Sequence, residues 1–330
     1  MYPIHNILVS IKDPRAKSFP TVTKAAAIAA ALDARLQLFH AIDIAVYPDL
    51  GVLDGVRLPQ LERRQKENHR QLLEAIATPL RRGGLTVSTA VEWDFPVHEA
   101  IIRAAEKFDA NLIVAGDHAR RHHHLPWLLR YTDWELLRAS PMPVLLIKSP
   151  QAYRRPVVLA ALDPTHTFAK PTGLDDEILR FSATLAQALK GAVHAVHGYV
   201  PVPANLSPAL LSSPGALEKM LAAAEQAAFV SLAAVAEPLG IPRAHLHVVA
   251  RHPTDAVEEV AGQTGSQIVA LGSLSRSGLD RLLIGNTAEA LIDRLGCDIL
   301  VVKPPNFPHK VARAPRGVHI TPIPFGMGIP

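Results

Sequence analysis

Ile7-Leu-Val-Ser-Ile-Lys-Asp13-Pro14 and Val157-Val-Leu-Ala-Ala-Leu-Asp163-Pro164 are two short apolar runs, each ending in Asp-Pro. A continuous apolar run of this length reads as a strand buried on both faces, as in a parallel sheet. Their separation in the chain predicts an internal repeat, and the residues that follow extend it. Each run leads into a stretch rich in Ala and Leu and then a second strand, over 35–42 and 192–197. A divergent insert and a long helix come next, the helix ending near a matched Pro-Leu at Pro79-Leu80 and Pro238-Leu239. Third strands are expected over 86–92 and 245–250. A proline turn then opens a helix, at Phe95-Pro96-Val97 and at His252-Pro253-Thr254, with Thr254 as the expected N-cap. The fourth strands end in glycine, at Gly116 and Gly272. The last helices begin near Thr132 and Thr287, and the final strands cover 144–148 and 299–303.

Five strands alternating with helices in each half predict an α/β fold of two tandem open, doubly wound parallel five-stranded sheets. The boundaries read as 1–150, 151–305 and a Pro/Gly-rich tail over 306–330, expected to be an exposed or partly disordered extension. The chain has 330 residues, which suits two domains, and 48% hydrophobic residues with only 5% aromatics. Such a core is built from Leu, Ile, Val and Ala.

Formal charge is +4, with 34 basic residues mixed among 30 acidic ones, which argues against direct nucleic-acid binding. Cys297 is the one cysteine, so a disulfide within the chain is excluded and a reducing compartment is expected. The N-terminus lacks a basic and then apolar leader, and the Ala-rich run 24–32 is too short to span a bilayer. These features predict a cytoplasmic protein with no membrane association.

The segment Gly272-Ser-Leu-Ser275-Arg276-Ser277-Gly278 through Gly285-Asn286-Thr287-Ala288-Glu289 follows a strand and enters a helix. Glycines allow close approach of a ligand to the backbone, and free N–H groups at a helix start attract anions. The end of a strand is also where open α/β sheets bind ligands. The segment resembles the phosphate loop of the universal stress protein family, in which Gly, two residues, Gly, nine residues and Gly precede Ser or Thr. Gly272 and Gly285 match the first and third glycines; Ser275 replaces the second, and Asn286 replaces the hydroxyl residue. Gly285-Asn-Thr-Ala-Glu289, Cys297-Asp298 and Thr132-Asp133-Trp134-Glu135-Leu136-Leu137-Arg138 resemble the tandem E-type subgroup.

The resemblance implies a Rossmann-like fold of the adenine-nucleotide α-hydrolase type. It implies ATP with Mg²⁺ as the candidate ligand of the second repeat. Asp163 would face the base or ribose, and Gly272, Ser273, Ser275, Arg276, Gly278, Gly285, Asn286 and Thr287 would surround the phosphates. It further implies a non-catalytic ligand-sensing or interaction module of the stress response. The last strands of the two repeats would pair as an intramolecular pseudo-dimer, and two chains would form a homodimer. In the first repeat Asp117 follows Gly116, and Arg130-Tyr131 stands where Gly285-Asn286 stands in the second. An acid beside a phosphate repels it, so no nucleotide is expected there.

Two other functions stay open. The insert Tyr199 to Met220 is apolar and proline-rich, as a cover over an apolar or lipid-like metabolite would be. A slow ATP hydrolase would need a base or metal ligand, for which Asp163 and Asp280 are candidates. No nucleophile elbow or Walker lysine occurs. The histidines at 122–124 read as a solvated loop in preference to a metal site. His194, His197, His245 and His247 read as structural histidines at a sheet edge, with a zinc pair at His245 and His247 as the lesser alternative. Cys297 reads as an inert, partly buried thiol. Asp175, Asp176 and Glu177 read as acids that complement a helix dipole.

Overall fold

A computed structural model describes residues 2–43, 57–116, 126–165, 173–201, 215–272, 286–308 and 311–318. All ten expected strands form, with ends within one residue of expectation except that the first strand of each repeat stops at Ser10 and at Ala161, short of the Asp-Pro pairs. The chain divides into two compact units, Ile4–Met142 with His309–Pro330, and Met1–Pro3 with Pro143–Pro308.

In the first unit β1 (Asn6–Ser10), β2 (Arg35–Ile42), β3 (Val87–Trp93) and β4 (Leu112–Gly116) lie in the order β3-β2-β1-β4, every pair parallel. Helix α1 (Pro20–Leu32) packs on β1, β2 and β4; α2 (Arg57–Arg82) packs on β2 and β3. Helices α3 (Val97–Lys107) and α4 (Pro126–Ala139) pack on each other. Helix α4 thus starts six residues ahead of Thr132, where the helix start was expected, because Pro126 supplies the fixed φ of a first helical residue. Ile7, Leu8 and Val9 are wholly buried, in accord with an apolar strand covered on both faces.

In the second unit the order is β5-β10-β9-β6-β7-β8. These are β5 (Val144–Ile147), β6 (Val157–Ala161), β7 (Ala192–Gly198), β8 (Leu246–Val249), β9 (Ile268–Gly272) and β10 (Asp298–Val302). All pairs are parallel except β10 with β5, which run antiparallel with Val144 opposite Val301 and Leu146 opposite Ile299. The fifth strand of the first repeat therefore groups with the second unit, and the compact units part at residue 142 rather than near 150. Helix α5 (Leu174–Ala188) crosses β6, β7, β9 and β10 and buries Ile178, Leu179 and Phe181 completely. Each such side chain contributes about 1.5–3 kcal/mol of burial. Its first turn carries Asp175, Asp176 and Glu177, as expected from the dipole.

Helix α6 (Ala216–Ala236) packs on β7 and β8 through Ala228, Leu232, Ala233 and Ala236. With the 3-10 turn that follows, Ala216–Leu239 is long and apolar enough to cross a membrane, the one such helix among the described residues. Helices α7 (Pro253–Thr264) and α8 (Asn286–Arg294) pack on each other.

Three readings change. The N-cap of α7 is His252, not Thr254. Pro253 has no N–H and takes the first helical position, and the His252 ring accepts from the Thr254 N–H at 3.4 Å. His245 lies in a 3-10 turn over Arg243–His245, so β8 starts at Leu246. The tail also packs in part. Arg316 and Gly317 donate their backbone N–H to Asp94 at 2.9 and 3.0 Å, and the Arg316 guanidinium pairs with Glu99 at 2.6 Å.

Candidate functional site

The ladder registers set the two repeats against each other. Ser10 pairs with Phe39 and Ile7 with Leu112; Ala161 pairs with Val196 and Val158 with Ile268. Ile7 therefore corresponds to Val158, one residue on from the match that the Asp-Pro pairs suggest. Asp163 corresponds to Lys12, and Asp13 falls one residue further along. The shared Asp-Pro is a likeness of sequence that the hydrogen-bond register does not keep.

In each repeat the chain runs from its first strand outward to the second and third on one side, and its fourth lies on the other. The carboxyl ends of β1 and β4, and of β6 and β9, are thus topological switch points, where open sheets bind ligands. Asp163 follows β6 and Gly272 ends β9, so these two expected site residues come at the carboxyl ends of neighbouring strands. The Asp163 N–H donates to an Asp175 carboxylate oxygen at 3.3 Å, and the Thr165 hydroxyl donates to Asp163 Oδ1 at 3.2 Å. A Cβ on Gly272 would sit 2.7 Å from Leu174 Cδ2 and 3.0 Å from Ile178 Cδ1, inside contact distance of two wholly buried side chains. Glycine is what lets α5 close over the end of β9. Asn286 and Thr287 open α8. Ser273, Ser275, Arg276, Gly278 and Gly285 lie outside the described residues, as do Asp280, the 122–124 histidines and most of the Tyr199 to Met220 insert.

At the switch point of the first repeat a cavity of about 380 Å³ opens. Its lining includes Lys12, Asp13, His40, His69, Gly116 and Thr132. His40 is buried; its Nδ1–H donates to the Ile11 carbonyl at 2.8 Å, and His69 stacks on it at 5.0 Å between ring centres. Burial is the main cause that lowers the His40 pKa, with His69 adding to it, while the Ile11 carbonyl and Asp13 oppose the shift.

Across β7 and the start of β8, His194 stacks between His245 and His247, with ring centres 4.1 and 5.2 Å away. His194 Nδ1 and His247 Nε2 share a hydrogen bond of 2.9 Å, and His245 Nδ1–H donates to the Val193 carbonyl at 3.0 Å. Desolvation first, then the neighbouring rings, bring the His194 pKa down to about 4. Among the described residues no group of three or more His, Cys, Asp or Glu is placed to hold a metal ion.

The residue beside Cys297 has a plain structural task that motif reading missed. Asp298 is fully buried and accepts from Lys148 N–H and Ser149 N–H at 2.9 Å and from the Tyr153 hydroxyl at 2.6 Å. It ties the link between the repeats to the start of β10. Burial and the Asp298 charge raise the Tyr153 pKa well above its usual value. Cys297 itself is half-buried.

The model of the universal stress protein family matches residues 3–148 and 171–303. Universal stress protein E of Photorhabdus laumondii is 26% identical over 315 residues, 93% of this chain and 98% of its own. The universal stress protein E homolog of Haemophilus influenzae is 25% identical over 262 residues, 78% of this chain and 83% of its own. Among solved structures, a universal stress protein of Pseudomonas aeruginosa UCBPP-PA14 superposes with a TM-score of 0.68 at 26% identity, covering 91% of this chain and 94% of that one.

Proposed function

The chain belongs to the universal stress protein family, with the family's domain present twice in one polypeptide, and on that premise we propose a non-catalytic ligand-sensing module of the stress response whose second repeat binds an adenine nucleotide. The observation that supports this reading is the parallel pairing of β6 with β9, whose carboxyl ends, just before Asp163 and at Gly272, form a switch point. From Gly272 the chain runs through the glycine- and serine-rich loop to the start of α8. The helix N-terminus supplies N–H groups and a positive dipole end for phosphate. Ser273, Ser275 and Thr287 add hydroxyls, Arg276 a charge, and Gly278 and Gly285 close backbone approach, with Asn286 at the first helical position. Asp163, held by Thr165 and Asp175, takes a ribose hydroxyl, and Mg²⁺ accompanies the triphosphate.

The ligand orders its loop and shifts the population able to meet a protein partner. The module works in the cytoplasm. The β5–β10 pairing replaces, within one chain, a contact that single-domain relatives would make between subunits. Hydrogen exchange with and without saturating Mg-ATP tests this reading. Slower exchange over 272–287 with no phosphate release is the expected result; unchanged exchange there would sink it.

A further inference from the structure

The corner that follows β3 in the first repeat holds a segment from the far end of the chain. Asp94 is 3% exposed, and its Oδ1 accepts from the Arg316 and Gly317 N–H groups at 2.9 and 3.0 Å. Glu99 takes the Arg316 guanidinium with both oxygens, from Nε at 3.1 Å and from Nη2 at 2.6 Å. Arg103 donates to the Ala312 carbonyl at 3.1 Å, and Val311 is buried. Residues 312–316 are exposed, and none of 311–318 belongs to a helix or a strand. So few buried contacts put the segment at the low-stability end of the molecule, where local opening costs least.

The corner is built to outlast that opening. Arg103 bridges Asp94 at 2.6 Å and Glu99 at 3.0 Å, and the Phe95 N–H donates to Asp94 at 2.9 Å, so neither carboxylate is left unpaired. Two carboxylates against one guanidinium leave one negative charge, which Arg316 neutralises. The fold itself does not require these residues. By ladder register Glu92 corresponds to Val249, which sets Arg251, Ala256 and Val260 of the second repeat at the places of Asp94, Glu99 and Arg103. The second repeat makes the same strand–proline–helix corner without any of the three.

We propose that this corner is a peptide-recognition site for a short segment bearing Arg-Gly, and that residues 311–318 fill it as a detachable ligand displaced by a second segment of the same chemistry. A guanidinium meets the Glu99 carboxylate with two N–H bonds at once, which the point charge of lysine cannot match. Gly317 has φ +75°, a conformation that other residues adopt only with strain. Asp94 takes backbone N–H groups and so fixes register, while Val311 is an apolar anchor at the other end. The site lies in the first repeat, does not rest on the nucleotide reading and is tested without ATP.

The probe is the peptide Val-Ala-Arg-Ala-Pro-Arg-Gly-Val, the sequence of 311–318 blocked at both ends, titrated into the full ¹⁵N-labelled chain. In Arg316→Glu the tethered segment is repelled by Glu99. The peptide should bind that chain at one site, at least about tenfold more tightly than the natural chain, where the tether competes. An Arg316→Lys peptide should bind at least about tenfold more weakly than the natural one, the loss of a charge-assisted hydrogen bond. Adding Glu99→Ala to Arg316→Glu should abolish binding, and Ala256 shows that the corner folds with alanine there. Hydrogen exchange in Arg316→Glu should quicken over 311–318 and stay as in the natural chain over α3. No binding to Arg316→Glu at millimolar peptide, equal affinities of the two chains or of the two peptides, or binding retained after Glu99→Ala would each overturn the proposal. So would faster exchange in α3, which would make the segment a part of the fold and not its ligand.

Discussion

At the carboxyl end of its second strand each repeat carries a buried histidine bonded to the carbonyl that follows its first strand, and beyond that bond the two repeats part. The first repeat stacks His69 on the ring, and both line a cavity of about 380 Å³, whereas the second has Ala228 at that helical position and a cavity of about 270 Å³. Lys12 stands in the first where Asp163 stands in the second, and Pro143 stands where Asp298 stands. Gln37 and Ser88 take the places of His194 and His245. Both repeats keep the ladder register, and the chemistry at its ends has diverged. The reason is physical: a one-residue slip of a buried strand would turn every side chain to the other face, while a residue beyond the ladder can change without moving it.

The largest expected effect lies where the second repeat has an acid and the first a proline. Asp298→Ala leaves the Lys148 and Ser149 N–H groups and the Tyr153 hydroxyl without their acceptor, and should cost about 3 kcal/mol or more by urea unfolding. A loss below about 1 kcal/mol would remove Asp298 as the anchor of the link. Next come the glycines that end the fourth strands. Gly272→Ala forces a Cβ against Leu174 and should cost about 1–3 kcal/mol. Among the described residues a Cβ at Gly116 meets Thr21 Cγ2, at 3.3 Å, and Gly116→Ala should cost less than its counterpart. Equal losses would mean that the two strand ends are packed alike.

The smallest effect is the pH response of the histidine stack. The folded pKa of His194, about 4, lies below the ordinary histidine value of 6.5. The unfolded chain therefore takes up the proton first. The contribution is fully present above pH 6.5 and is lost as pH falls from there towards 4. Because the ring is only part-buried, solvent screening limits it to the order of 1 kcal/mol. Replacing His194 by Gln, the residue at the matching place in the first repeat, should flatten that part of the stability–pH curve. An unchanged curve would assign the acid sensitivity to other groups.

The strands were legible because buried parallel strands announce themselves as apolar runs, and Gly116 and Gly272 marked their ends. The Asp-Pro match misled by one residue, since residue likeness carries no information about which N–H meets which carbonyl. His252 was passed over as a cap because Pro253 had first to be recognised as the first helical residue. The docking of Arg316 on Asp94 joins residues 222 apart, and nothing local signals it. The stack of His69 on His40 was equally hidden, since it joins a strand end to a helix 29 residues further along. Strand order sets the end of β6, just before Asp163, next to the end of β9 at Gly272.

Calorimetry of Mg-ATP against the full chain tests the division of labour between the repeats most directly, with Gly285→Arg and Lys12→Ala as variants. One site per chain, lost in Gly285→Arg and kept in Lys12→Ala, is the result that a nucleotide site in the second repeat predicts. Binding that survives Gly285→Arg and disappears with Lys12→Ala would place the nucleotide in the cavity of the first repeat and contradict the account.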